Sequence, residues 1–472
     1  MAFTCDVIEE PTLRTKLDRI AKIPSLVATF CLPNIHRKDK LESPPQFVAA
    51  THGTIVPMLT APAMNCGTSL FTTTLDRKDF SPEFLKEFAV HLRNQIAPRI
   101  KPWQSFLGWI GLYKRPLSKY DLSRSELEDF FLNGAKAAIK KYNLPKHELE
   151  HIEYCGDVLS DEERTKIDLK RLVPRSSYVT ARHELGYNFG GNHFLEFHYI
   201  EHIENPEIAK AWNLHEGQIL LFYHGGGGHA SYHLGRYFAR REKNTTREKA
   251  ILFILKFLFH FTSLEGIKNF RARWHAYFSR APFPETHVDT PEGTRLFQSI
   301  KIGLNYGYAF RVALLARIND ALPASTQGGP KGSATFLRDA AHNSITEEDY
   351  QGKSVIVHRQ DAMRVFPDMP VMIMGQNNTL GYIGVGSLGA EKTLWSVTPS
   401  ATQVIEQYIK DCKSHLDPEK HVSYISKRKN PDLITKEHMT SEGLINVVQQ
   451  FEKEDIIKPV AYIRPLGSIK GH

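Results

Sequence analysis

The stretch FGGNHFLEFHYIEHIE, residues 189–204, sets Asn192, His193, Glu196, His198 and His202 behind a glycine pair. Imidazole, carboxylate and amide groups at that density can bind a metal ion, move a proton or grip a nucleotide. A second run, LLFYHGGGGHASYH at 220–233, ends an apolar stretch on His224 and opens into four glycines. Read as a strand, 192–198 alternates its faces: His193, Leu195 and Phe197 go one way, and Asn192, Phe194, Glu196 and His198 the other. His193 and Glu196 then lie apart, which excludes the helical HExxH metalloprotease arrangement. The glycine run suits a phosphate or another anion, yet it lacks the Lys-Ser/Thr of a P-loop, and no GxGxxG fingerprint is present. His342 in RDAAHNS, His358 closing SVIVH and Cys66 in APAMNCGTSL stand in comparable settings. On spacing alone these are either a metal set or core and rim histidines with satisfied ring nitrogens. Convergence has to come from the fold.

The elements that would position these groups are readable in outline. Ser81-Pro82-Glu83 starts a helix with Phe84, Leu85, Phe88, Leu92 and Ile96 on one face. Ser123 and Glu126 have capping-box spacing before a second helix, and the 99–122 stretch between them reads as a long connection. From about residue 190 short β-rich runs appear: NHFLEFHYI, QILLFYH, SVIVH, PVMIM, YIGVG and PVAYIRPL. Helical patterns lie between them at 240–262, 293–320, 400–412 and 441–453, and 323–334 reads as a surface loop. Nothing reads as an interdomain linker. The expectation is a single α+β domain over 1–472, with packed sheets and flanking helices around a central cleft.

Composition narrows the class. With 41% hydrophobic and 24% charged residues, the 472-residue chain is that of a globular protein. Its net charge of +8 is a mild preference for polyanions. Five scattered cysteines with no CxxC pair and no disulfide framework point to a reducing compartment, the cytoplasm. No signal architecture is present, and the run AILFILKFLFHF at 250–261 is too short to span a bilayer. It reads as a buried helix, and no membrane partner is expected.

The segments YNFGGNHFLEFH, LFYHGGGGHASY, DAAHNSI, VIVHRQDAMRVFPDMPVMIMG, GYIGVGS and PVAYIRPLGSIKG are similar, in order and spacing, to landmarks of the RtcB family. That resemblance spans roughly residues 60–472 and leaves 1–60 unplaced. It implies GTP- and manganese-dependent joining of RNA 3′-phosphate or cyclic-phosphate ends to 5′-hydroxyl ends. It further implies metal ligation by Cys66, His193, His224 and His342. Nucleotide contacts would fall to Asn192, Glu196 and Lys470.

The departures matter as much. The aspartate three residues before the metal cysteine is Ala63 here, and LWSVTPSATQ at 394–403 places Pro399 at the guanylylated histidine. Arginines of the family pattern correspond to Gly228, Gln403 and Gln407, and two serines to Gln376 and Gly381. A covalent nucleotidyl route without its nucleophile fails. The sequence therefore points to a pseudo-ligase with one divalent metal, zinc or manganese, and weak GTP or GMP binding. RNA is the expected ligand, and an active paralogue or a second copy the expected protein partner. The alternatives are a metal-dependent phosphoesterase on RNA terminal phosphates, or a ligase using another nucleophile such as His358.

Overall fold

The computed structural model describes residues 3–5, 8–39, 41–96, 103, 117–239, 246–322, 331–411, 413, 415–426 and 433–470. Most of the expected 99–122 connection, most of the 323–334 loop and Cys412 lie outside the described residues. The strands that matter below are β1 Leu26–Cys31, β2 Phe47–Thr51, β3 Gly67–Asp76, β4 Phe194–Ile203 and β5 Gln218–Gly225. They continue as β6 Ala334–Ala341, β7 Asn343–Tyr350, β8 Lys353–Gln360, β9 Pro370–Ile373 and β10 Gly381–Gly386. The last are β11 Leu416–Ser426, β12 Leu433–Met439 and β13 Ile457–Lys470. A large sheet runs in the order β9-β10-β13-β4-β5-β3-β6, with β11 added on β13 and β12 on β11. A four-stranded sheet runs β1-β2-β8-β7. The architecture is α+β, as expected.

The large sheet is buried on both faces, so its strands read as nearly continuous apolar runs. Leu195, Phe197, Leu221 and Tyr223 face one core, with Phe71 and Phe336. Leu70, Ile200, Leu220 and Phe222 face the other, with Val371, Ile383 and Ile463. The first core is closed by helices whose starts the sequence marks. Ser81 Oγ accepts the Phe84 N–H over helix α1, Pro82–Asn94, which buries Phe84, Leu85, Phe88 and Leu92. Ser123 and Glu126 form the reciprocal capping box of α2, Arg124–Tyr142. That helix kinks at Gly134 (φ 52°), where a Cβ would stand 2.1 Å from the Gly156 carbonyl oxygen. Further along, α3 is Gly228–Phe238, α4 is Thr246–Phe261, α5 is Phe270–Phe278 and α6 is Pro291–Ala321. The 31-residue α6 is buried along almost its whole length, against α2 and the sheet.

Two expectations need correction. Cys5 and Cys31 are joined by a disulfide. Their 26-residue separation carries no local signal; they meet because the N-terminal segment lies along β1, with Cys31 N–H donating to Phe3 O. This removes the basis for inferring a reducing compartment from the cysteines. The 250–261 run is a helix but not a buried one: Ile251, Phe253, Ile254, Leu255, Phe257 and Leu258 are exposed. Its polar residues take the inward positions. Lys256 Nζ donates to Ala239 O and Tyr277 O, and His260 Nε2 meets Tyr237 O at 2.8 Å. Among the described residues no helix is long and apolar enough to cross a membrane.

The unplaced N-terminal part supplies β1 and β2, half of the small sheet, and β2 pairs with β8 from Phe47–Gln360 to Thr51–Ile356. In the first core, Phe197 is fully buried with Phe84 and Phe88 edge-on at 5.8 and 5.0 Å. Phe197→Ala is expected to cost about 3–5 kcal/mol, read from the urea unfolding midpoint.

Candidate metal centre

Strand register, not sequence spacing, gathers the candidate ligands. Gly67 of β3 stands opposite Gly225 of β5 on one side and Ala341 of β6 on the other. Cys66, His224 and His342 thus fall at the same end of three adjacent strands. Their ligand atoms all lie within 4.8 Å of one another. His224 Nε2 is 3.0 Å from His342 Nε2, and Cys66 Sγ is 3.9 Å from His224 Nε2. His193 Nε2 stands 3.5 Å from Cys66 Sγ on another side, while its Nδ1 is buried without a hydrogen-bond partner. Cys66, His224 and His342 thus stand close enough to share a divalent metal ion.

Main-chain bonds hold two of these ligands together. The N–H groups of His342 and Asn343 both donate to Cys66 O, at 2.9 and 3.2 Å, and Asn65 N–H donates to Asn343 O. Asn65 has φ 52° and is gripped by Arg311, which donates to its backbone and side-chain oxygens at 3.0 and 2.9 Å. Arg311 is itself fixed on Asp339 by two bonds of 2.6 and 2.9 Å. His342 Nδ1 lies 3.0 Å from Asp361 Oδ1, a carboxylate placed to orient the ring.

The charges reinforce one another. Burial alone would push the Cys66 thiol up, but His342 and His193 hold it well below the ordinary thiol range. Burial disfavours the His342 imidazolium, yet the Cys66 thiolate and Asp361 raise its pKa to about 10. A cleft of about 440 Å³ opens on this centre. Asn192, Tyr232, Arg236 and Lys38 line it, along with Ala63. A larger cavity of about 630 Å³, at the far end of β3 beside His147 and Trp212, holds none of the candidate residues.

The family profile described as tRNA-splicing ligase RtcB matches residues 16–471. This chain belongs to the RtcB family. The tRNA-splicing ligase RtcB of Pyrococcus horikoshii is 26% identical over 437 residues, covering 86% of this chain and 44% of the relative. That of Thermococcus kodakarensis is 23% identical over 452 residues, covering 89% and 83%. RNA-splicing ligase RtcB homolog 1 of Entamoeba histolytica is 22% identical over 489 residues, covering 96% and 82%. The chain spans about two fifths of the length of the Pyrococcus relatives it matches.

The remaining RtcB-derived residues divide. Asn192 and His193 both reach the cleft, although strict alternation puts them on opposite faces; the strand begins only at Phe194, and both lie before it. Glu196 is buried, with Oε2 3.4 Å from His198 Nε2, and does not line the cleft. Lys470 pairs with Phe194 across β13 and β4, its Nζ 5.3 Å from the Phe194 ring centre. His358 is fully buried in β8, where its Nε2 accepts the Val56 N–H at 2.9 Å and burial pulls its pKa down to about 4. That nitrogen is committed to the backbone. Pro399 is buried, with its carbonyl accepting the Met374 N–H.

Lys38, Tyr232, Arg236 and Asp361 were missed by sequence reasoning. Tyr232 and Arg236 have helical i, i+4 spacing, with the guanidinium 5.3 Å from the Tyr232 ring centre, but that spacing alone marks no cleft. Metal binding must expel the His342 proton. Apparent zinc affinity should therefore rise from near pH 7 to about pH 10, approaching tenfold per unit for one proton released. Competitive chelator titrations check this, and Cys66→Ser should abolish binding at either pH.

Proposed function

We propose that this RtcB-family chain is a pseudo-ligase: it holds one divalent metal and binds RNA ends or nucleotide without forming a covalent guanylate. Pro399 carries the reading. The family resemblance puts it at the nucleophile, and neither it nor any residue of 394–403 has an imidazole. The His358 substitute is disfavoured by its Val56 contact.

Cys66, His224 and His342 would hold the ion, with His193 beside the cysteine. When bound, it would supply Lewis-acid polarisation of a phosphate oxygen. Lys38 and Arg236 at the cleft would receive phosphate by charge, and Tyr232 offers a face for base stacking. Asn192, which lines the same cleft, would orient the ligand. A further support lies at Gly228, where the resemblance loses an arginine. A Cβ there would lie 2.4 Å from Glu184 Oε1, and that same oxygen accepts the Ala230 N–H of α3. A carboxylate thus lies where an arginine would project, which weakens triphosphate binding. Glu196 and Lys470, on neighbouring strands away from the cleft wall, would form at most a weak nucleotide subsite.

Incubation with labelled GTP and manganese should leave no label on denatured protein; a stable adduct would overturn the reading. Calorimetry with GMP should show weak binding that Asn192→Ala reduces, with a smaller loss for Lys470→Ala. Loss of one charge-assisted contact corresponds to roughly tenfold or more in affinity. Ala63 lines the cleft beside Cys66, so Ala63→Asp should raise metal occupancy from one equivalent toward two. Elemental analysis reads this directly. The phosphoesterase alternative draws on the opening of the cleft onto the centre; metal-dependent turnover of an RNA cyclic phosphate would favour it instead.

A further inference from the structure

Helix α4 is built inside out. Its inward positions carry Lys256 and His260, both buried and hydrogen-bonded to backbone carbonyls, and Arg295 Nη1 approaches His260 Nδ1 at 3.0 Å. Arg273 of α5 donates to His260 O and to Glu292, which also accepts from Arg295 and Tyr277. This network fastens the α4–α5 hairpin to the start of α6. The hairpin cannot roll to hide its outer face without stranding those buried charges.

The outer face is apolar over more than half of the α4 circumference, counting by helical periodicity. Ile254 is 58% exposed and Leu258 49%, and the surface continues through Leu264, Ile267, Phe270 and Trp274. Ring contacts make it continuous: Phe253 lies 6.3 Å from Phe257 and 6.5 Å from Trp274, which stacks on Phe270 at 5.7 Å. At about half exposure each, these side chains present on the order of 1,000 Å². A soluble monomer's largest apolar patch is about 300–600 Å².

Charge decides what covers it. Lys268, Arg271 and Arg280 are exposed on the hairpin. Across 250–284 the sole carboxylate is Glu265, already paired with Arg171 and Arg273. A second copy in two-fold contact would bring like cations together. RNA would accept the cations and the aromatic rings but not the Ile and Leu side chains that make up most of the face. An anionic lipid surface satisfies both features, with Trp and Phe at the headgroup level and cations against the lipid charge.

We propose that the α4–α5 hairpin docks the protein onto anionic membrane surfaces, lying on the bilayer without crossing it. Flotation of the full chain with phosphatidylserine-containing phosphatidylcholine vesicles should carry protein to the lipid fraction; phosphatidylcholine alone should carry far less. Ile254→Glu/Leu258→Glu should cut the bound fraction about tenfold or more, and Lys268→Glu/Arg271→Glu similarly on anionic vesicles. Both pairs are exposed, and unchanged circular dichroism and thermal midpoint confirm that each variant folds. The proposal falls if wild type does not float, or if both variants float as wild type does. It also falls if the apolar pair instead converts a solution dimer to a monomer, or abolishes RNA binding without affecting flotation.

Discussion

Everything at the candidate metal centre rests on a guanidinium buried where water cannot reach it. Arg311 and Asp339 are both fully buried and joined by two bonds. Removing one member of such a pair costs about 3–5 kcal/mol, because the other is left charged and unpaired. Arg311 also spends two donors on Asn65, whose left-handed backbone turns the chain into Cys66. One helix and one strand therefore set the position of a thiolate neither of them carries.

The four glycines after His224 belong to the same constraint. A Cβ at Gly225 would come within 2.4 Å of the Tyr223 hydroxyl, at Gly226 within 2.6 Å of Arg311 Nη1, and at Gly227 within 2.6 Å of Met64 O. All four have positive φ. They let α3 start directly against the Cys66 loop and the Arg311 side chain. The turn reads in sequence as an anion cradle, but close packing requires it, and Glu184 already stands at its helix end.

Periodicity and capping made much of the fold legible. Ser81, Ser123 and the alternating runs from Phe194 onward lead to the right elements because those signals are local. The union of Cys66, His224 and His342 was legible only through family resemblance, since register across β5, β3 and β6 is a tertiary fact. Asp361 and Arg236 left no readable mark for the same reason. The 250–261 helix shows the opposite failure. An apolar run normally signals burial, but nothing in it reveals that Lys256 and His260 would find carbonyl partners inside. Nor could the pairing of Cys5 with Cys31 be read, because it depends on where β1 meets the N-terminal segment.

His342 is a ligand candidate and also the sole residue between β6 of the large sheet and β7 of the small one. β7 pairs with β8, β8 with β2, and β2 with β1, which carries the cystine. An ion there would be held by side chains at the ends of β3, β5 and β6, and the small sheet would reach it through Asp361, the residue after β8, behind His342. By linkage, whatever tightens the ion's hold would also oppose any opening that parts Asp361 from His342. Occupancy of the cleft and closure of the seam at Asp361 would then be two readings of one equilibrium.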